Sequence, residues 1–85
     1  MRLIFSADAT RTFGRLPRRD SAALLRKLRL FAAEPFKQHP WVSPLTDAAD
    51  MVRVRQGDWR AIILISRARD VIIVERVGHR REVYR

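Results

Sequence analysis

The chain has no cysteine, only three glycines and two histidines, and half as many acidic residues as basic ones. Without cysteine there is no disulfide and no thiolate metal site, and the redox compartment is left open. Gly14, Gly57 and Gly78 are too scattered for a P-loop or a Gly-rich dinucleotide fingerprint. His39 and His79 sit in different segments without ligand spacing, which argues against zinc. No acidic cluster is offered to magnesium, and no nucleophile-elbow sequence supports a Ser-His-Asp triad. Long apolar runs are missing too. The longest nearly uncharged one, Ala61 to Ile65, is far short of a membrane span, and Met1 to Phe5 is too short for a signal-peptide core. The expectation is a soluble cytoplasmic protein with no membrane partner, no metal and no cofactor.

What is present is hydrophobic residue and positive charge. Eighty-five residues, 47% of them hydrophobic, fit one domain spanning 1–85 and exclude a disordered chain. Eighteen basic against nine acidic residues give a formal charge of +9, and all but two of the basic residues are arginine. The default partner of so basic a domain is a polyanion, most often nucleic acid. The plain alternative is a solvated, arginine-rich surface.

Periodicity places the elements. Arg2 to Phe5 reads as an edge strand, and Ser6 as the N-cap of a helix from about Ala7 to Leu16, with Asp8 in its first turn. Pro17 opens a second helix, Arg18 to Glu34, whose Leu24, Leu25, Leu28, Phe31 and Ala32 form one apolar stripe. The stretch from Phe36 to Asp50, broken by Pro40 and Pro44, reads as irregular, with Trp41 as an anchor. Met51 to Arg55 alternates with period two and places Arg53 and Arg55 on one face. A turn at Gln56-Gly57-Asp58, a strand from Trp59 to Ser66, a second turn and a strand from Val71 to Val77 follow, and Gly78 to Arg85 make a polar, basic tail. The expected fold class is α+β, in the order β-α-α-β-β-β: a helical hairpin packed on a mainly antiparallel twisted sheet.

The basic residues of the C-terminal half then fall together. A tight turn at Gly57 brings Arg60 across from Arg55, and Arg80 joins from the next strand. Converging guanidiniums repel unless an anion sits among them, and arginine offers bidentate hydrogen bonds to phosphate. By charge alternation alone, the solvated face of a half-buried sheet is the favoured account.

Two blocks carry a resemblance. Arg53-Val54-Arg55-Gln56-Gly57-Asp58-Trp59-Arg60, followed by Val77-Gly78-His79-Arg80-Arg81-Glu82-Val83-Tyr84, is similar to the signature of the RelE/ParE toxin superfamily of type II toxin–antitoxin systems. Pro44-Leu45 sits where members carry a Pro-Leu or Lys-Leu pair, and the element order agrees over nearly the whole chain. The resemblance implies one of two activities. The RelE branch cleaves mRNA in the ribosomal A site by attack of the message's own 2′-hydroxyl on the adjacent phosphate, without metal. The ParE branch poisons DNA gyrase and generally lacks the basic set; that set looks complete here, so the resemblance points first to the RelE-like mRNA interferase branch.

By that resemblance Arg53 and Arg55 take the paired basic positions, Arg60 binds phosphate, Arg80 is a candidate proton donor and Tyr84 stacks on a base. In well-known members the paired positions are lysines, one a candidate general base, whereas arginine is a poor base at neutral pH. His79 is the remaining candidate acid/base. Arg18, Arg19, Arg26, Lys27 and Arg81 are expected to lie against RNA. The implied partners are an acidic antitoxin, to which an exposed apolar groove beside the helical hairpin would be suited, the ribosome with its mRNA, and operator DNA only through the toxin–antitoxin complex. The resemblance leaves two alternatives: a gyrase inhibitor, and a catalytically weak toxin acting mainly in antitoxin and operator binding.

Overall fold

A computed structural model describes residues 1–46 and 48–83. Strand β1 (Arg2–Phe5) leads into α1 (Ala7–Arg15) and α2 (Arg18–Ala33). Four strands follow: β2 (Val42–Pro44), β3 (Met51–Gln56), β4 (Trp59–Ser66) and β5 (Val71–His79). They form one sheet in the order β1-β5-β4-β3-β2, antiparallel throughout except where β1 runs parallel to β5. The fold is the α+β arrangement expected from the sequence, with one strand more.

Local chemistry sets the helix ends. Ser6 caps α1 by accepting from the Ala9 N–H at 3.0 Å, and its hydroxyl donates to the Glu75 carbonyl of β5 at 2.7 Å. The cap therefore also fastens the helix to the sheet. Pro17 stands just outside α2 as its N-cap, with a carbonyl that accepts from Asp20 and Ser21. A pyrrolidine cannot donate there, where no donor is needed.

The hairpin lays its apolar stripe on one sheet face. Leu24, Leu28, Phe31 and Ala32 of α2 are buried against Val54, Ala61, Ile63, Val74 and Val77, and Ala9 and Leu16 complete the core beside them. Leu25, expected in that stripe, is only half-buried. Paired residues of adjacent strands share a face, so register gives the rest. The row Val54–Ala61–Val77 points to the helices, and the row Arg55–Arg60–Gly78 points to the opposite face, as does Arg53 opposite Ile62.

Two stretches differ from the sequence reading. The segment expected to be irregular contains β2, in which Val42, Ser43 and Pro44 pair with Val54, Arg53 and Val52. Three residues that end on a proline show no periodicity, and the strand exists because β3 offers it an edge. The tail is less polar than expected. β5 runs on through Gly78 and His79, and the chain then turns back, with Glu82 and Val83 N–H groups donating to the His79 carbonyl at 2.8 and 3.0 Å. Val83 is thereby buried, over a glycine whose missing Cβ would have met it at 3.4 Å. Among the described residues, no helix is long and apolar enough to cross a membrane.

Candidate functional site

On the sheet face away from the helices lies a groove of about 470 Å³. One wall is the edge segment Pro40–Trp41–Val42–Ser43, and the remaining lining comes from Arg53, Arg55, Arg60 and Arg80. Strand geometry explains the convergence. Arg55 and Arg60 are direct cross-strand partners, Arg53 lies two residues back on the same face, and Arg80 follows β5 just past the Gly78 that pairs with Arg60.

Three of the four guanidiniums have partners that orient them. Arg60 Nη1 donates to the Gly57 carbonyl at 2.7 Å and the Trp59 carbonyl at 2.9 Å. Arg80 donates its backbone N–H to the Asp58 carbonyl at 2.7 Å, and its Nε lies 3.5 Å from Asp58 Oδ1. The β3–β4 turn therefore supplies acceptors both to Arg60 of β4 and to Arg80 just past β5. That turn closes in two residues because Gly57 adopts φ +57, a conformation that favours glycine. Arg53 Nε donates to Ser43 Oγ at 3.1 Å across the edge. Arg55 is exposed.

Not every expected residue joins them. His79 pairs with Trp59 on the helix side of the sheet, its ring 5.6 Å from the Trp59 ring at 84°, and its Nδ1 accepts from the Arg81 N–H at 3.2 Å. It does not line the groove. Arg18, Arg19, Arg26 and Arg81 are exposed outside it, and Arg26 with Arg29 flanks a second, apolar groove of about 440 Å³ formed by Ala22, Leu25, Leu30 and Ala33. Tyr84 lies outside the described residues.

Lys27 parts from the other basic residues of α2. It is half-buried, donates from Nζ to the Arg55 carbonyl at 2.9 Å and lies 5.7 Å from the centroid of the Trp41 ring. Burial, and then the charge of Arg55, hold its pKa below the ordinary lysine value. The helical phase foretold this: position 27 is three residues from Leu24 and four from Phe31, on the flank of the buried stripe. Asp58 is the other residue that sequence reasoning passed over. No charge pattern marked it, although its place in the turn did.

The groove's lining can clamp an anion between fixed donors, with an apolar and aromatic wall alongside. Among the described residues, no group of three or more His, Asp or Glu side chains is placed to hold a metal.

Comparisons with known proteins agree with this architecture. The isolated RelE toxin of E. coli superposes with a TM-score of 0.82 at 22% identity, over 98% of this chain and 89% of that one. A RelBE toxin–antitoxin complex from Mycobacterium tuberculosis gives 0.74 at 25% identity, over 92% and 95%. A YoeB/ParE toxin from Agrobacterium tumefaciens gives 0.77 at 18%, over 93% and 98%. No curated protein sequence matches the chain. The sequence model of the ParE toxins of the type II toxin–antitoxin system parDE matches residues 3–84. With that match over nearly its whole length, the chain belongs to the ParE toxin family, within the RelE/ParE superfamily of type II toxin–antitoxin toxins.

Proposed function

We propose that this toxin is a ribosome-dependent, metal-independent endoribonuclease that cuts mRNA in the ribosomal A site and so halts translation. The observation that supports it is the convergence of Arg53, Arg55, Arg60 and Arg80 on one groove. Four guanidiniums side by side are unfavourable in an empty protein and favourable around a phosphodiester. In the reaction, the 2′-oxygen forms a bond to the adjacent phosphorus and the bond to the 5′-oxygen of the next nucleotide breaks. A 2′,3′-cyclic phosphate and a 5′-hydroxyl result.

Each arginine has a task. Arg60 and Arg55 hold the phosphate oxygens, Arg53 stabilises the charge that builds on them, and Arg80 donates to the departing 5′-oxygen. Tyr84 stacks on a base. Proton removal from the 2′-hydroxyl falls to water or a phosphate oxygen, because guanidinium does not accept a proton and His79 faces away. Orientation and electrostatics therefore carry the rate. The exposed arginines of α2, together with Arg81, contact ribosomal RNA through its backbone.

In this reading an acidic antitoxin holds the toxin in check in the cytoplasm, and operator DNA is met only through their complex. Solved structures of similar fold include toxin–antitoxin complexes from M. tuberculosis and E. coli. In vitro translation with toe-printing tests the activity. Cleavage in the A-site codon is expected with the wild type and its loss in Arg60→Ala and Arg80→Ala; intact message with the wild type would refute it. One observation favours a second reading, inhibition of DNA gyrase: the matching family is that of ParE toxins. That reading expects trapped gyrase–DNA cleavage complexes and undisturbed translation.

A further inference from the structure

Of the basic residues on α2, Arg18, Arg19, Arg26 and Arg29 are exposed, whereas Lys27 is half-buried against Trp41 and Arg55, two residues that line the arginine groove. β2 begins at Val42, opposite Val54, so Arg55 is the first residue of β3 beyond their pairing. Both backbone groups of Arg55 are nonetheless tied on that side. Its N–H donates to the Trp41 carbonyl at 2.9 Å, and its carbonyl accepts from Lys27 Nζ at 2.9 Å. The same ammonium lies over the Trp41 ring, against which the His39 ring stacks at 4.6 Å. One side chain thus holds a residue of the edge wall and a residue of the arginine row.

A lysine serving stability alone is poorly placed here. Its charge is partly removed from water and lies beside Arg55, and both effects lower its proton affinity. An anion in the groove reverses the second effect.

We infer that Lys27 is a positioning residue of this groove, which locks the Trp41–Arg55 corner for an RNA backbone and adds its charge to the clamp. The inference rests on the reading of the groove as a phosphodiester site. It has a pH signature with a definite sign. Bound RNA raises the proton affinity of Lys27, so affinity is full while the free protein keeps the ammonium and falls as rising pH removes it. The charged and titratable groups around Lys27 are Arg55 from β3, the other groove arginines, and His39 behind Trp41. The part of an alkaline change in affinity that Lys27→Arg abolishes therefore reports the amine.

The test is fluorescence anisotropy with an oligoribonucleotide bearing 2′-O-methyl groups throughout, which binds but cannot be cut by its own 2′-oxygen. Wild-type affinity is expected to fall several-fold between about pH 8 and about pH 10. Lys27→Arg is expected to bind like the wild type at neutral pH and to lack that fall. Lys27→Met is expected to bind roughly tenfold more weakly, with unchanged circular dichroism. Wild-type affinity in a folded Lys27→Met, or an alkaline fall that persists undiminished in Lys27→Arg, would overturn the inference; if Lys27→Met does not fold, the Lys27→Arg profile decides alone. Arg60→Ala separates the two levels. Loss of binding in Arg60→Ala with none in Lys27→Met refutes the role of Lys27 and leaves the groove standing, whereas a wild type that does not bind refutes both.

Discussion

Arg60 reaches the groove from β4 and Arg80 from just past β5, yet both take their orientation from the turn between Gly57 and Trp59. The Arg80–Asp58 pair is exposed on both sides and contributes at most about 1 kcal/mol to stability, so its value lies in aiming a guanidinium. The arginine faces were legible in the sequence because alternation alone puts Arg53 and Arg55 on one side. Arg60 then follows from the hairpin. His79 was misplaced for a reason that lies in the same rule: β5 extends through residue 79, and Gly78, paired with Arg60, takes the groove side, so His79 must turn away. His79→Gln is therefore expected to retain cleavage within about threefold, measured on programmed ribosomes, whereas a general acid or base in the reaction would lose at least about a hundredfold.

The helical hairpin decides where the groove can be. By covering the face that carries Val54, Ala61 and Val77, α2 leaves the arginine face open, and Lys27 reaches round the sheet edge to Arg55. Leu28, fully buried at the middle of the stripe, makes this packing testable. Leu28→Ala is expected to lower unfolding free energy by about 2–5 kcal/mol in a denaturant titration, from lost burial and the cavity left behind. A loss below about 1 kcal/mol would mean that the hairpin is not seated as described. Helices and long strands were readable from periodicity and caps. β2 was not, because its three residues are strand only by pairing with β3, and Lys27 passed for a surface cation because its phase on α2 was counted with its charge rather than with Leu24 and Phe31.

At the scale of the whole molecule, arginine gathers on two separate surfaces, the groove and the exposed side of α2. In the proposed function, the exposed arginines of α2 make diffuse, salt-sensitive contacts with a large RNA, whereas the groove aims Arg53, Arg60 and Arg80 at one phosphate. A toxin that uses both needs the ribosome to present the scissile nucleotide to the groove. The most direct test follows from the attacking group. Ribosomes are programmed with two messages that differ only by a 2′-deoxy sugar at the nucleotide 5′ to the scissile A-site phosphate, and the protein is added without metal beyond the ribosome's own. Cleavage of the all-ribose message to a 2′,3′-cyclic phosphate end, with the deoxy message left intact, is the expected result. Two intact messages, or two cut ones, would contradict a groove built for 2′-hydroxyl attack.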